Sequence, residues 1–240
     1  DNNTYSPLYS NTTGSYNTAI GSAALGLNTT ASNNTAVGYQ ALYSNNTNGP
    51  NTAMGWQAGY SNTDSGFIQA FGAKALYGNT TGSYNNAFGY VALAGNTTGS
   101  YNTAMGDYAL NSNSTASNNT AIGYQTLYSN TTGTCNIAIG GSNGTYSVLS
   151  SNIDGSYNVG IGSATLGKNT SGVRNIGMGY ETLVNNTTGS YNVGLGMFAL
   201  TSNTTANYNT AVGYQAGYSN TTGTGNYFGG TQAGYSSVSA

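Results

Sequence analysis

One five-residue motif returns at a fixed interval along this chain of 240 residues. It reads NTAIG at Asn17, NTAVG at Asn34 and NTAMG at Asn51, and the interval of seventeen residues holds as far as NIAIG at Asn136. The next copy, NVGIG at Asn158, comes five residues late, after which the interval resumes. Thirteen copies in one register predict a solenoid or a fibre in which each copy forms one turn.

The register also divides the chain. Residues 1–16 are interpreted as an N-terminal partial repeat, and residues 17–240 as a β-solenoid repeat array with a five-residue insertion within 141–157. Insertions in solenoids usually protrude as loops on one face, often the binding face. The insertion is therefore either a bulged spacer or a binding loop, and the spacer is favoured.

We number the turn from position 1, the Asn of the motif, to position 17. Position 5 is Gly in all thirteen copies, which indicates a positive φ or a close backbone approach. No 3.6-residue pattern favours helix, and the N-T-T-G-S-Y segment is typical of a chain reversal. We expect two short strands and two corners per turn, and hence an all-β parallel β-solenoid of about thirteen turns.

Position 4 is a large apolar residue in every complete turn, which predicts a core column. A second column, mostly Leu, occupies position 9, and position 8 is usually Ala. The residues predicted for the position 4 column are Ile20, Val37, Met54, Phe71, Phe88, Met105, Ile122, Ile139, Ile161, Met178, Leu195 and Val212.

Identical side chains would also stack along the array. Asn at position 1 is expected to form an amide ladder. Tyr at positions 6 and 10 is expected to form aromatic columns that serve as scaffold, or less plausibly as a sugar-binding strip.

The composition excludes several classes of function. Charged residues are 3 % of the chain, there is no His, and the only cations are Lys74, Lys168 and Arg174. Nucleic-acid binding depends on Lys and Arg, and acid–base catalysis favours His or paired carboxylates. We therefore expect no enzyme, no metal, no cofactor, no nucleic acid and, without a long apolar run, no membrane span. Cys135 is alone and is interpreted as a small residue in a slot that otherwise holds Tyr.

The motif N-x-[S/T], the acceptor for N-linked sugar, occurs sixteen times and mostly at position 12. We expect these asparagines to line one exposed edge, either as glycosylation sites or simply as the turn that the coil requires. The candidates are Asn11, Asn28, Asn45, Asn79, Asn96, Asn130, Asn169, Asn186, Asn203 and Asn220. O-linked sugar on the neighbouring Thr pairs is an equivalent possibility.

The Thr pairs at positions 13 and 14, such as Thr80 and Thr81, form regular columns of the kind found in ice-binding solenoids. Adjacent residues of an extended strand point to opposite faces, which disfavours that interpretation.

The apolar content of each turn is low, and the chain can form no internal disulfide. Small β-structures with so thin a core need further burial. We therefore expect a homo-oligomer, with a trimer favoured.

The repeated N-T-A-I-G, followed by a small residue, Ala and a short turn, resembles the head repeats of trimeric autotransporter adhesins. It also resembles the long NTAIG arrays of phage tail-fibre-like and bacterial surface proteins. The resemblance covers Asn17 to about Gly230. It implies a left-handed, usually trimeric β-roll with an adhesive or spacer role at a cell surface or on a virion.

The sequence thus predicts a non-enzymatic extracellular fibre or filament segment, with structural and adhesive roles and with cell-surface glycans or receptors as partners. The alternative is a subunit of a glycosylated helical polymer, and an ice-binding solenoid is a distant third.

Overall fold

A computed structural model describes residues 5–47 and 49–238, and these residues contain short β-strands and no α-helix. The chain forms two compact units, Asp1–Asn118 and Asn119–Ala240. The strands of the first unit are β1 (Thr18–Ile20), β2 (Thr35–Val37), β3 (Thr52–Met54), β4 (Gln69–Phe71), β5 (Asn86–Phe88) and β6 (Thr103–Met105). Those of the second are β7 (Thr120–Ile122), β8 (Ile137–Ile139), β9 (Val159–Ile161), β10 (Ile176–Met178), β11 (Val193–Leu195), β12 (Thr210–Val212) and β13 (Tyr227–Gly229).

Within each unit, successive strands pair in parallel and in chain order. The register advances by one repeat, so that Thr18 lies opposite Thr35, and across the insertion Ile137 lies opposite Val159. Residues 5–16 add a partial turn to the first unit, with the Leu8 amide donating to the Ala24 carbonyl at 3.0 Å. The predicted all-β parallel β-solenoid is confirmed for each unit.

Each turn holds one strand rather than the two that we expected. Positions 6 to 11 form consecutive turns, because positions 7 and 9 have left-handed backbone: φ is 54° at Gln40 and 49° at Leu42. These turns still hydrogen-bond to the next copy, as in the 2.9 Å bond from the Leu42 amide to the Ala58 carbonyl. The prediction of a second strand was wrong because alternating φ signs prevent an extended segment.

The invariant Gly at position 5 is explained by two constraints. Its φ lies between 111° and 142° in all thirteen copies, a region that side chains disfavour. A Cβ on Gly55 would also lie 2.5 Å from the carbonyl oxygen of Gly72 in the next turn. The backbone can therefore turn at position 5 only where the residue has no side chain.

The core is formed by positions 3, 8 and 9, and not by position 4. Ala at position 3, Ala at position 8 and Leu at position 9 are fully buried, as in Ala36, Ala41 and Leu42. The predicted position 4 column was wrong, because alternate residues of a strand point to opposite faces and Ala at position 3 faces inward. The residues now placed on the outward face are Ile20, Val37, Met54, Phe71, Phe88, Met105, Ile122, Ile139, Ile161, Met178, Leu195 and Val212, all part-buried or exposed.

The buried Leu column has an unusual backbone. Leu25 has a φ of 50° and yet no exposed surface. A left-handed non-Gly residue costs about 1–2 kcal/mol, which the burial of a Leu side chain, worth about 1.5–3 kcal/mol, offsets. Gly replaces Leu at Gly59 and Gly217. A methyl group of Ile68 lies next to Gly59, and the ring of Phe228 lies next to Gly217, so that these side chains fill the space of the missing Leu.

Positions 8 and 3 of successive turns are complementary in size in most turns, with Thr126 followed by Ala138 as an exception. In the first unit Ala41 is followed by Ala53, both fully buried. In the second unit Thr165 is followed by Gly177, where an added Cβ would lie 2.6 Å from Thr165 Cγ2. The pairs of Val148 with Gly160 and of Thr182 with Gly194 repeat this relation.

Gly177→Ala is therefore expected to lower the free energy of unfolding by about 1–3 kcal/mol through overpacking. Adding Thr165→Ala should recover most of that loss, because Ala at both positions is the combination used in the first unit. Urea unfolding of the wild type, both single variants and the double variant measures the coupling. Strictly additive effects would contradict the proposed steric relation.

Candidate functional surfaces

The acidic residues that the structure describes lie apart from one another and form no metal-binding cluster. Among residues 5–47 and 49–238, no three His, Cys, Asp or Glu side chains lie close enough to share a metal ion. Asp64 accepts a 2.8 Å hydrogen bond from Thr47 Oγ1, and Glu181 accepts one of 2.8 Å from Asn143 Nδ2. Both carboxylates thus face neutral hydrogen-bond donors.

The asparagines at position 12 form a ladder inside the solenoid. Asn96 Nδ2 donates to Asn79 Oδ1 at 2.6 Å and to the Gly99 carbonyl at 2.9 Å, and Asn113 Nδ2 donates to Asn96 Oδ1 at 2.8 Å. The same bond recurs in the second unit, for example from Asn186 to Asn169 at 2.8 Å. Asn96 therefore serves as both donor and acceptor along the column, whereas Asn28 Oδ1, Asn45 Nδ2 and Asn220 Oδ1 are buried without a hydrogen-bond partner.

The prediction that the N-linked acceptors line an exposed edge was wrong for nine of the ten candidates. A column that repeats at every turn can stack inward as well as outward, and here the amides pair with one another. The fully buried candidates are Asn28, Asn45, Asn79, Asn96, Asn130, Asn169, Asn186, Asn203 and Asn220. Asn11, in the partial turn, is part-buried. Folded turns thus offer little accessible amide for a sugar.

The predicted amide ladder at position 1 is confirmed. Asn102 Nδ2 donates to Asn85 Oδ1 at 3.2 Å, and the Asn102 backbone amide donates to the same oxygen at 2.9 Å. Asn85 Nδ2 also donates to the Gly99 carbonyl, the acceptor that Asn96 of the other ladder uses. One backbone carbonyl therefore joins the two ladders in a turn.

The aromatic residue at position 10 stacks as predicted. The rings of Tyr43, Tyr60 and Tyr77 lie 5.2 Å apart with interplanar angles of 7° and 11°. At position 6 the contacts are edge-to-face with position 7, as in Tyr90 and Tyr108 at 81°. Position 6 therefore departs from the expected stacked column.

A third aromatic column, at position 17, was missed by the sequence analysis. Phe67, Tyr84 and Tyr101 stack at 5.0 Å with angles of 2° and 3°. In the second unit Arg174 lies between two rings, 5.5 Å from Tyr157 and 5.3 Å from Tyr191. The available signal was the Tyr that precedes position 1 in six of the thirteen copies. Rings stacked in this way cover each other's faces, which a sugar would need for stacking.

The two Thr of each pair differ in environment. The hydroxyl at position 13 donates to the carbonyl of the same position in the next turn, as from Thr80 to Thr97 at 3.0 Å. The Thr at position 14 is exposed, and this class includes Thr81, Thr98, Thr132, Thr188, Thr205 and Thr222. Of the two Thr positions, position 14 thus presents the more accessible column of hydroxyls along the described part of the chain.

The insertion forms an ordered loop between β8 and the buried Val148. Asn143 Oδ1 accepts hydrogen bonds from the backbone amides of Thr145 at 2.9 Å and Tyr146 at 2.8 Å. The bond from Asn143 Nδ2 to Glu181 ties the loop to β10's turn, and Lys168 Nζ lies 5.4 Å from the Tyr146 ring. The loop itself has no charged side chain, and the charged groups that it contacts, Glu181 and Lys168, belong to later turns.

In the first unit, an open depression of about 500 Å³ lies over positions 11 to 14. Hydroxyl, amide and carboxylate groups stand beside apolar surface in its lining, which consists of Leu27, Ser44, Asn46, Thr47, Thr63 and Asp64. A single carboxylate gives no acid–base pair for glycoside hydrolysis.

Comparison of the chain with protein-family models, with curated proteins and with solved structures gives no match. None of the residues that the structure describes belongs to a helix long and apolar enough to cross a membrane. The class of this protein is therefore defined by its fold alone: it is a repeat protein that forms a parallel β-solenoid.

Asn96→Ala is expected to lower the free energy of unfolding by about 3 kcal/mol or more, since it removes a partner from both Asn79 Oδ1 and Asn113 Nδ2 in a fully buried column. Thr98→Ala is the control from the same turn, and its exposed side chain should change stability by less than about 0.5 kcal/mol. Chemical unfolding measures both. Equal effects of the two substitutions would show that the ladder adds no stability.

Tyr9 gives a pH-dependent prediction. Its hydroxyl lies 3.1 Å from that of Tyr43, and this hydrogen bond, with partial burial, raises the pKa of Tyr9 from 10.0 to about 12. As pH rises from 10.0 to about 12, the unfolded chain loses the proton while the folded chain keeps it. The free energy of unfolding therefore falls across this window.

Thermal unfolding across that window should show a shallower loss of stability in Tyr9→Phe than in the wild type, because the substitution removes the shifted group. Tyr16→Phe is the control, since Tyr16 is 87 % exposed. Identical pH profiles for wild type and Tyr9→Phe would contradict the assignment.

Proposed function

We propose that this chain is a non-enzymatic extracellular fibre or filament segment with a structural and adhesive role, and that it works as a homo-oligomer. The observation that carries the proposal is the outward strand face. Each turn places its largest strand side chain, such as Ile20 or Met178, on the outer surface. The interior is filled by the Leu and Asn columns and does not contain these side chains. A side chain of this kind at every turn serves contact with other molecules better than it serves the core.

The interior supports a structural role. Amide ladders and Leu columns repeat at each turn, so that each turn is stabilised mainly by its neighbours, as in other solenoids. The array can be extended by whole repeats without any change in the interior. Such a structure suits a shaft or spacer.

The surface supports a role in adhesion. Charged residues are 3 % of the chain, and the solenoid presents Thr hydroxyls at position 14 and the edges of stacked aromatic rings in regular columns. These groups recognise neutral ligands, and cell-surface glycans or neutral receptors are the partners that we propose. A trimer is the arrangement that we favour, and a cell surface or a virion is the proposed location.

The second candidate is a subunit of a glycosylated helical polymer. The exposed column of Thr at position 14 favours it, since hydroxyls such as those of Thr81 and Thr188 are accessible to O-linked modification. The burial of Asn79 and Asn186 disfavours N-linked sugar at the same turns. Ice binding remains a distant third candidate, with thermal hysteresis as its assay.

Sedimentation and cryo-EM of the purified chain test the proposal. We expect a discrete assembly with a mass near three times 24.3 kDa and binding to neutral glycans on an array. A chain that stays at 24.3 kDa and binds none of them would contradict it. A continuous helical polymer with sugar density at Thr81 and Thr188 would establish the second candidate instead.

A further inference from the structure

The outward face of the second unit carries an apolar patch on four neighbouring strands, β8 to β11. At both outward positions of each strand the side chain is apolar, whereas in the first unit one of the two is Thr, Gln or Asn. We call these eight residues the second-unit patch: Ile137, Ile139, Val159, Ile161, Ile176, Met178, Val193 and Leu195.

A strand that faces water on one side normally alternates polar with apolar residues. The patch breaks this rule only on its outer side, because the inward residues Ala138, Gly160, Gly177 and Gly194 follow the core pattern. Ile176 and Met178 are 38 % and 43 % exposed. Contiguous exposed apolar surface of this kind marks an interaction site.

The patch is neutral. Its eight residues include no charged side chain, and the nearby Arg174 guanidinium is held between the Tyr157 and Tyr191 rings. The patch therefore offers no charged group to which a partner of opposite charge could bind. The matching surface is itself apolar and uncharged.

Size also limits the partner. Four strands of three residues, about 4.8 Å apart, cover roughly 200 Å² in projection, whereas a stable interface buries about 800 Å² on each side. The partner must therefore also cover the flanking exposed side chains, among them Tyr180, Tyr191 and Met197. It must be long and must match the strand spacing over several turns.

We infer that the occupant of the second-unit patch is a second copy of this chain, packed sheet against sheet. A second copy has the same neutral, apolar face and the same spacing between turns, so that side chains at successive turns interdigitate across sheets about 10 Å apart. The inference rests on the proposed function, because it names a contact surface of the proposed homo-oligomer. Packing of patch against patch joins copies in pairs about a two-fold axis, so this pair takes the place of the trimer favoured above.

The first test compares two variants of the full chain that gain the same charge. Ile176→Lys with Met178→Lys places two Lys in the patch, and Thr188→Lys with Thr205→Lys places two at exposed position 14 in the same unit. Sedimentation equilibrium should show the wild type and the position 14 variant at a multiple of 24.3 kDa. The patch variant should dissociate with a Kd raised about 100-fold or more, while circular dichroism shows all three folded.

The second test needs no substitution. Met178 is exposed in a single chain but covered in the inferred pair, and thioethers oxidise according to their exposure. Its oxidation by hydrogen peroxide, followed by mass spectrometry of peptides, should be at least about tenfold slower at concentrations where the chain associates than after dilution. Ile176→Leu should keep this protection.

The outcomes separate the inference from the proposed function. A wild type that stays at 24.3 kDa would overturn both. An assembly that the patch variant leaves intact, with Met178 oxidised equally at all concentrations, would overturn only the inference, since the fibre would then form through another surface. Dissociation of the patch variant alone, with protection of Met178, would support it.

Discussion

The hydrogen bonding of asparagine amides from turn to turn is the interaction on which the rest of this solenoid depends. A side-chain amide has both a donor and an acceptor, so a column such as Asn79, Asn96 and Asn113 can satisfy itself without water. Asn85 and Asn96, from the two ladders, share the Gly99 carbonyl. This fixes the corner at positions 12 to 15 relative to the strand. A buried polar network is more favourable the more completely it is satisfied, which favours an Asn at the same place in each turn, although Ile68 takes the place of the position 1 Asn in one turn.

The ladders also determine the composition of the core. Two columns of the interior are amides, so the rest is left to Leu at position 9, to Ala or Gly at position 3, and to Ala, Thr or Val at position 8. In this small space, a larger side chain in one turn is mostly followed by a smaller one in the next. Thr165 is followed by Gly177, whereas Ala41 is followed by Ala53. The larger strand residues have no room inside and lie on the outer face. That face, rather than any pocket, is the surface through which we propose that the chain associates.

Much of the fold could be predicted from spacing alone. The period placed each strand, the invariant Gly marked the corner after it, and the recurrent Asn at position 1 predicted an amide ladder that the structure confirms. The errors share one cause. Leu at position 9 enters the core from a left-handed backbone, φ 49° at Leu42, and no local rule predicts that geometry for Leu. The Leu column was predicted correctly as core, but without this geometry the large apolar residue at position 4 was assigned to the core as well, and Asn at position 12 to an outer edge.

The sequence by itself determined that there would be stacked parallel turns, where each strand would lie, and that positions 3 and 4 would face opposite sides. These follow from the repeat and from the alternation of side chains along a strand. Only the tertiary structure decided which side was inside. That choice depends on what else fills the interior, and here Leu42 and the Asn96 ladder reach it from residues outside the strand. Whether a side chain is buried depends on the packing of the whole turn, and the sequence of a single repeat does not determine that packing.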